Sequence, residues 1–273
     1  MTFILNITVI IAVQLMLYLL FLRPKILKWG TTKAETEMSM IGDEMAPTIS
    51  ATRAISIDAA KSTVWHWLIQ LGADRGGFFS YAFIESVLGY EKREGELKLE
   101  FNDLEVGRII PGSIDESKSV IKFNFPVVAV EPERAFVLEE WGTFLLQVIE
   151  PEQTRLIVRT HGTKPDRLLD KVIDLFGVFA HYIMERRMLL GFKSCAETGH
   201  QLSAATDNLW LFGIFAAAIG WFVMAFMGAT SLHLMLATAF AMMWLWVLLI
   251  PKPDFKMSNL LLLAEVVTLI WLF

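Results

Sequence analysis

The sequence has few charged residues and a single cysteine, and both shortages narrow the class of protein. Only 19% of the 273 residues are charged and 55% are hydrophobic, whereas soluble domains average about 25% charged and about 45–50% apolar residues. The net charge of −5 argues against nucleic acid as a partner, because a polyanion requires a basic surface. Cys195 has no second cysteine to pair with, which excludes an intrachain disulfide and a cysteine-based zinc site.

The short motifs of catalysis and metal binding are missing as well. The chain contains no P-loop, no Gly-x-Gly-x-x-Gly run and no Gly-x-Ser-x-Gly elbow. Its histidines lack the spacing of metal ligands and are scattered along the chain: His66, His161, His181, His200 and His233. We therefore predict neither a metal nor a cofactor, identify no catalytic residue, and favour a non-enzymatic protein.

Long uncharged hydrophobic runs lie at both ends of the chain. Residues 2–22 contain no charged side chain, and a helix of that length covers the ~30 Å of bilayer hydrocarbon. We predict an N-terminal transmembrane anchor within residues 1–30. A C-terminal group of transmembrane helices is predicted within residues 206–273, at 209–227, 229–250 and 258–273. The last run has only 16 residues and carries Glu265, so an interfacial helix is the alternative to a full crossing there.

Basic residues beside these runs predict their orientation. Arg23, Lys25 and Lys28 follow the first run, and Lys252 and Lys256 lie between the last two. Because basic loops stay in the cytoplasm, we predict a multi-pass protein of the cell (inner) membrane. Its central domain is then cytoplasmic, and both chain termini lie outside.

The central domain, residues 31–205, has an ordinary composition and a pattern of mixed secondary structure. A polar linker at 31–51 precedes a strand with period-2 alternation at 52–57. Apolar spacing predicts a long helix at 166–197. Between them we predict helices at 63–71 and 79–88, followed by strands at 106–111, 120–125, 127–131, 135–141, 144–150 and 154–161. Short connections between successive strands indicate an antiparallel sheet.

Four segments resemble a known superfamily. Residues 53–59, 64–72 and 75–81, the last an Arg-Gly-Gly-aromatic-x-Ser-Tyr run, are similar to the opening of a bacterial SRPBCC group, and residues 184–193 are similar to its closing helix. The chain thus resembles the START/Bet v 1-like superfamily over residues 52–197. The resemblance implies an α+β helix-grip fold, in which a curved antiparallel sheet surrounds a long C-terminal helix, here flanked by transmembrane helices.

The resemblance also implies a cavity between sheet and helix that accepts a hydrophobic ligand. The residues we predict to line it are aromatic or histidine side chains: Tyr81, Phe123, Phe125, Trp141, Phe144, His161, Phe176, Phe179 and His181. The same aromatic residues are also typical of a solid core, so both interpretations stay open. A cavity held beside a bilayer shortens the exposure of a lipid chain to water, which costs about 0.8 kcal/mol per CH₂.

Three functions are compatible with this sequence. The first is membrane-anchored binding or transfer of a lipid-like molecule, with the bilayer and the hydrophobic ligand as partners. The second is a cyclase or dehydratase acting on a polyketide or isoprenoid substrate. The third is an accessory protein whose C-terminal helices dock a membrane protein partner. Fold alone does not choose among them.

Overall fold

The computed structural model describes residues 15–87, 103–113 and 124–203, together with Phe101 and a few isolated positions near both ends of the chain. The chain divides into two compact units, residues 26–202 and a second unit made of residues 1–25 and 203–273. Most residues of the predicted membrane spans lie outside the described residues. Within the described part, no helix is long and apolar enough to cross a bilayer. The flanking transmembrane helices therefore remain predictions.

The described elements are five α-helices and six strands. The helices are α1 (Arg23–Leu27), α2 (Lys33–Glu37), α3 (Lys61–Leu68), α4 (Ala82–Val87) and α5 (Leu168–Thr198). The strands are β1 (Thr48–Ile57), β2 (Ile109–Pro111), β3 (Asn124–Glu131), β4 (Ala135–Leu138), β5 (Gly142–Glu150) and β6 (Gln153–Gly162). A π-helical segment at Tyr18–Leu22 and a 3₁₀ turn at Asp43–Met45 complete the assignment.

The strands form one antiparallel sheet in the order β1-β6-β5-β4-β3-β2. Strand β1 lies at one edge of the sheet beside β6, so the first and last strands in the chain are neighbours. The predicted α+β class, the antiparallel sheet and the long C-terminal helix are confirmed. The strands predicted separately at 120–125 and 127–131 are one strand, β3, over the described residues 124–131. Other element ends differ by a few residues; α4 begins at Ala82, after Phe79 with its left-handed φ of 55°.

One face of the sheet packs against the helices. Phe136 and Phe144 are fully buried and stack with ring centroids 4.8 Å apart, and Trp65 of α3 meets Phe136 edge to face at 6.1 Å. Alternation along β1 places Arg53 on this same face, where it pairs with Glu185 of α5. The face is therefore an apolar core that contains one buried ion pair.

The opposite face of the sheet is covered by residues 31–46, a segment that we call the strap. We predicted this region as a polar linker, which is wrong. Met40 packs into a cluster with Ala54 and Ile157. The strap contains α2, whose first turn is closed by reciprocal hydrogen bonds between Thr32 and Glu35.

Two arginines on β6 hold the strap to the sheet. Arg155 Nε lies 2.7 Å from Glu35 Oε1, and Arg159 Nη1 lies 2.6 Å from Asp43 Oδ2. Arg159 also donates to the carbonyl oxygen of Met38 at 2.8 Å. Because these guanidinium groups are mostly buried, the strap is an integral layer of the unit.

The free edge of β1 is covered by residues 29 and 30. The amide of Ala54 donates to the carbonyl oxygen of Trp29 at 3.0 Å. Gly30 has φ +73°, and a Cβ at this position would lie 2.0 Å from the carbonyl oxygen of Ala54. Only glycine fits this close approach of two backbones.

Candidate ligand cavity

An open cavity of about 590 Å³, most of whose lining residues are exposed to solvent, lies between one end of the sheet and the first half of α5. The side of the sheet contributes Ser50 near the start of β1, His161 and Gly162 at the end of β6, and the following residues 163–167. Helix α5 contributes Asp170, Ile173, Asp174, Gly177, Val178 and His181. The wall thus combines many polar side chains with a smaller apolar strip on the helix. The wall as a whole is more polar than the aromatic lining predicted from the sequence.

Gly177 lines the cavity and, having no side chain, leaves space beside α5. A Cβ added there would meet nothing within 4 Å, so the space beside this turn of α5 is open. Glycine in the middle of a helix costs about 0.5–1 kcal/mol relative to alanine. Gly177 therefore leaves room beside the helix at a cost in helix stability.

At the inner end of this wall, His181 meets a buried carboxylate. Nε2 of His181 lies 3.3 Å from Oε2 of Glu185, one helical turn further along α5. Burial lowers the pKa of His181, against the opposing effect of the Glu185 carboxylate. A neutral imidazole is therefore the favoured form at pH 7.

Glu185 is held by partners from two strands, β1 and β6, and from the turn between β4 and β5. Arg53 Nη1 lies 3.0 Å away, and both side chains are at most 1% exposed. Thr160 donates to Glu185 at 3.1 Å and Trp141 Nε1 at 3.4 Å. Burial alone would raise the pKa of Glu185, but Arg53, His181 and the hydrogen bonds lower it below its usual value. Glu185 is therefore an anion whose charge is compensated inside the protein. Glu185 is not among the residues predicted from the sequence.

Three of the predicted aromatic residues form one cluster. Trp141 lies between Phe125 and Phe144, with ring centroids 5.1 and 5.5 Å away, and it meets His181 edge to face at 6.0 Å. Phe125 and Phe144 are buried, and these rings contact one another. The cluster is thus packed interior beside His181, and its aromatic residues are not among those that line the cavity.

His161 borders the same cavity but differs from His181 in its surroundings. Its neighbour Thr160 faces Glu185, so strand alternation turns the His161 side chain toward the strap. There burial, the largest effect, lowers the pKa of His161, and Arg159 lowers it further. Asp43 and Glu44 raise the pKa, but the net shift is downward. His161 and His181 are therefore not brought together as a pair.

Tyr81 lies away from the cavity, in the contact between two of the segments that resemble SRPBCC proteins. Ser80 Oγ donates to the carbonyl oxygen of Met184 at 3.2 Å, and Arg187 Nη1 donates to that of Phe79 at 2.9 Å. Tyr81 is 1% exposed, and its ring lies 6.0 Å from the Arg187 guanidinium. The Arg-Gly-Gly-aromatic-x-Ser-Tyr run thus packs against the closing helix, which is a structural role.

The remaining predicted residues contribute less to the site. Phe179 is half-buried. Phe123 and the side chain of Phe176 lie outside the described residues. In residues 15–87, 103–113 and 124–203, no three histidine, cysteine or acidic side chains converge as metal ligands would.

These features define an α+β unit with a six-stranded antiparallel sheet, a long C-terminal helix and a polar-walled cavity between them. No protein-family model matches the sequence, and no curated protein matches it. Some solved structures are similar. The protein SSP2350 from Staphylococcus saprophyticus has 18% identity and a TM-score of 0.35, over 55% of this chain and 93% of that one.

Two other structures are similar to the same degree. The conserved protein of unknown function EF2215 from Enterococcus faecalis has 16% identity and a TM-score of 0.30, over 59% of this chain and 81% of that one. The Aha1 dimer from Colwellia psychrerythraea has 16% identity and a TM-score of 0.30, over 54% of this chain and 96% of that one. At these scores the similarities assign neither a family nor a function.

Proposed function

We propose that this chain is a membrane-anchored SRPBCC protein with a helix-grip domain that binds or transfers a lipid-like molecule, without catalysis, in the cavity beside α5. The supporting observation is the cavity of about 590 Å³ between the sheet and the helix. Small-molecule sites in proteins measure about 300–1,000 Å³. The space is therefore of the size that a small lipid-like ligand occupies.

The lining of the cavity narrows the ligand to an amphipathic molecule. Lys164, Asp170 and His181 give its wall hydrogen-bonding groups, which a purely hydrocarbon ligand would leave without partners. Close to Ile173 of the wall, Leu168 and Leu169 are 79% and 67% exposed. A polar group held in the cavity and an apolar chain lying along these leucines would satisfy both surfaces.

The membrane part of the proposal rests on the sequence. The hydrophobic runs at residues 2–22, 209–227, 229–250 and 258–273, of which only the last carries a charged side chain, Glu265, would hold the domain at the cytoplasmic face of the bilayer. Each methylene group of a lipid chain that passes through water costs about 0.8 kcal/mol. A tethered cavity would shorten that passage, which gives the proposed anchors a physical purpose.

Filling the cavity tests this proposal. The variant Gly177→Leu places a side chain into the open space beside the helix, and Ala180→Leu is the matched control, because Ala180 is an exposed residue of α5 outside the cavity wall. Native mass spectrometry of the full chain purified from membranes should show a copurifying amphipathic molecule in the wild type and in Ala180→Leu. That molecule should be reduced at least severalfold in Gly177→Leu.

The same variant has an independent stability readout. Gly177→Leu removes a mid-helix glycine and should stabilise the unit by about 0.5–1 kcal/mol, so a loss of ligand cannot be attributed to unfolding if this rise is seen. The proposal is refuted if the wild type contains no such molecule and binds none, or if Gly177→Leu retains it at the wild-type level.

A further inference from the structure

The Glu185 carboxylate beside the cavity has its charge compensated by the protein. Arg53 lies 3.0 Å away and is as fully buried, and Thr160 and Trp141 donate to Oε2 of Glu185. The pair of Arg53 and Glu185 has no net charge. A proton on His181 would therefore give this half-buried site a net positive charge, because Arg53 already neutralises Glu185.

His181 connects this buried group with the cavity. Its Nε2 atom lies 3.3 Å from Glu185, while the side chain is 36% exposed and lines the cavity. Because Nε2 is the ring nitrogen in contact with the negatively charged carboxylate, the tautomer that has its proton on Nε2 is electrostatically favoured. The second ring nitrogen, Nδ1, then has a free lone pair, and no hydrogen bond to it is found among the described residues.

A neutral imidazole in this tautomer is a hydrogen-bond acceptor. It accepts from a hydroxyl group or an N–H group, and it does not attract a carboxylate or a phosphate as an imidazolium would. The charged side chains that share the cavity, Lys164 and Asp170 among them, are exposed and include both signs. His181 is thus the part of the site that favours a ligand with a hydroxyl or N–H group over a ligand with a carboxylate or phosphate group.

We propose that His181, oriented by Glu185, binds the hydroxyl group of an alcohol-type amphiphile through Nδ1, while the apolar chain of the ligand leaves past Ile173. This inference rests on the proposed function and specifies the ligand class for the same cavity. The class comprises long-chain alcohols, monoacylglycerols and other neutral lipids with a free hydroxyl group. Fatty acids and phospholipids with an anionic head fall outside it.

Two isomeric probes isolate the hydrogen bond. 1-Decanol and nonyl methyl ether have the same composition, but only the alcohol has a hydroxyl donor; decanoate is the anionic probe. Affinities are measured with the full chain in nanodiscs and corrected for partitioning into empty nanodiscs. We expect 1-decanol to bind about fivefold more tightly than the ether, the ratio that one hydrogen bond supplies.

The variants then assign this preference to one residue. His181→Phe keeps a ring and removes the acceptor, and it should abolish the preference for the alcohol. His200→Gln changes an exposed histidine beyond the end of α5 and should leave the preference unchanged. In protein with ¹⁵N-labelled histidine, the His181 ring signals should shift with 1-decanol and not with the ether.

Each of the other results overturns the inference in a recognisable way. Equal binding of the two isomers by the wild type, or an unchanged preference in His181→Phe, leaves the proposed function standing and refutes the role of His181. Tightest binding of decanoate shows a cationic site and refutes the neutral acceptor. Absence of binding by every probe refutes the inference together with the proposed function.

Discussion

The buried ion pair of Arg53 and Glu185 offers the most stringent test of the structure. Both side chains are at most 1% exposed and lie 3.0 Å apart, and Arg53 Nε also donates to the carbonyl oxygen of Ile26 at 2.8 Å. Removing one member of such a pair leaves an uncompensated buried charge, which costs about 3–5 kcal/mol. We expect Glu185→Met and Arg53→Met each to lose this much stability.

The double variant distinguishes a buried pair from two separate contributions. In Arg53→Met/Glu185→Met no charge remains buried, and replacement of a buried pair by hydrophobic residues is often neutral or stabilising. Thr160 and Trp141 lose an acceptor, so we expect recovery of at least about half of the single-variant loss rather than full recovery. Each single variant should unfold about 10 °C below the wild type.

The assay is thermal unfolding of the full chain in detergent, followed by near-ultraviolet circular dichroism. Losses of Arg53→Met and Glu185→Met that add up in the double variant would refute the reasoning, since additivity means that the two side chains do not interact. Lys61→Met is the control, because Lys61 begins α3 at the surface of the unit; it should change stability by less than about 0.5 kcal/mol.

The pH dependence of stability gives a second readout of the same pair. Since the pKa of Glu185 is lower in the folded protein than in the unfolded chain, its contribution is complete above the unfolded value of about 4.3. That contribution is lost as the pH falls through the lower folded value. Glu185→Gln should therefore flatten the fall in stability below pH 4.3. An acid limb identical to that of the wild type would contradict the assignment.

Three further predictions concern the strap, the single thiol and the edge of β1. Glu35→Gln weakens the ion pair with Arg155 and should cost about 1–3 kcal/mol, measured by urea unfolding. Burial raises the pKa of Cys195 to about 12, so the native thiol should resist maleimide at pH 8 and react only on unfolding, as followed by mass spectrometry. Gly30→Ala forces a Cβ against the carbonyl oxygen of Ala54 and should cost more than about 1 kcal/mol, seen as a lower unfolding temperature.

Each of these predictions has a clear contrary outcome. Wild-type stability of Glu35→Gln would mean that the strap is not held by its ion pair with Arg155. Rapid labelling of Cys195 in the folded protein would contradict its burial of 99%. An unchanged unfolding temperature for Gly30→Ala would mean that the segment before the strap does not run along β1.

Local pattern was enough to predict most of the elements. The alternation at 52–57 and the short turns between later strands predict an antiparallel sheet, because the side-chain period of a strand is independent of its partners. The apolar spacing at 166–197 predicts α5 to within two residues at its start and one at its end. These features depend only on neighbours along the chain, which is why the sequence alone determines them.

The strap could not be predicted in this way. Helix α2 has only five residues, and such a helix is unstable alone in water. Its order comes from Arg155 and Arg159 on β6, more than 100 residues away in the chain. From the sequence alone the strap therefore has the composition of a polar linker, because its ordered structure depends on contacts with β6.

The candidate site shows the same division. The sequence determined that His181 lies on a long helix and that Phe125 and Phe144 lie on strands, since both come from local periodicity. Tertiary structure alone decided that Glu185 is buried, because only the packing of β1 against α5 brings Arg53 to it. A carboxylate in a helix is normally solvated, and burial becomes tolerable only once a distant cation and two donors compensate its charge.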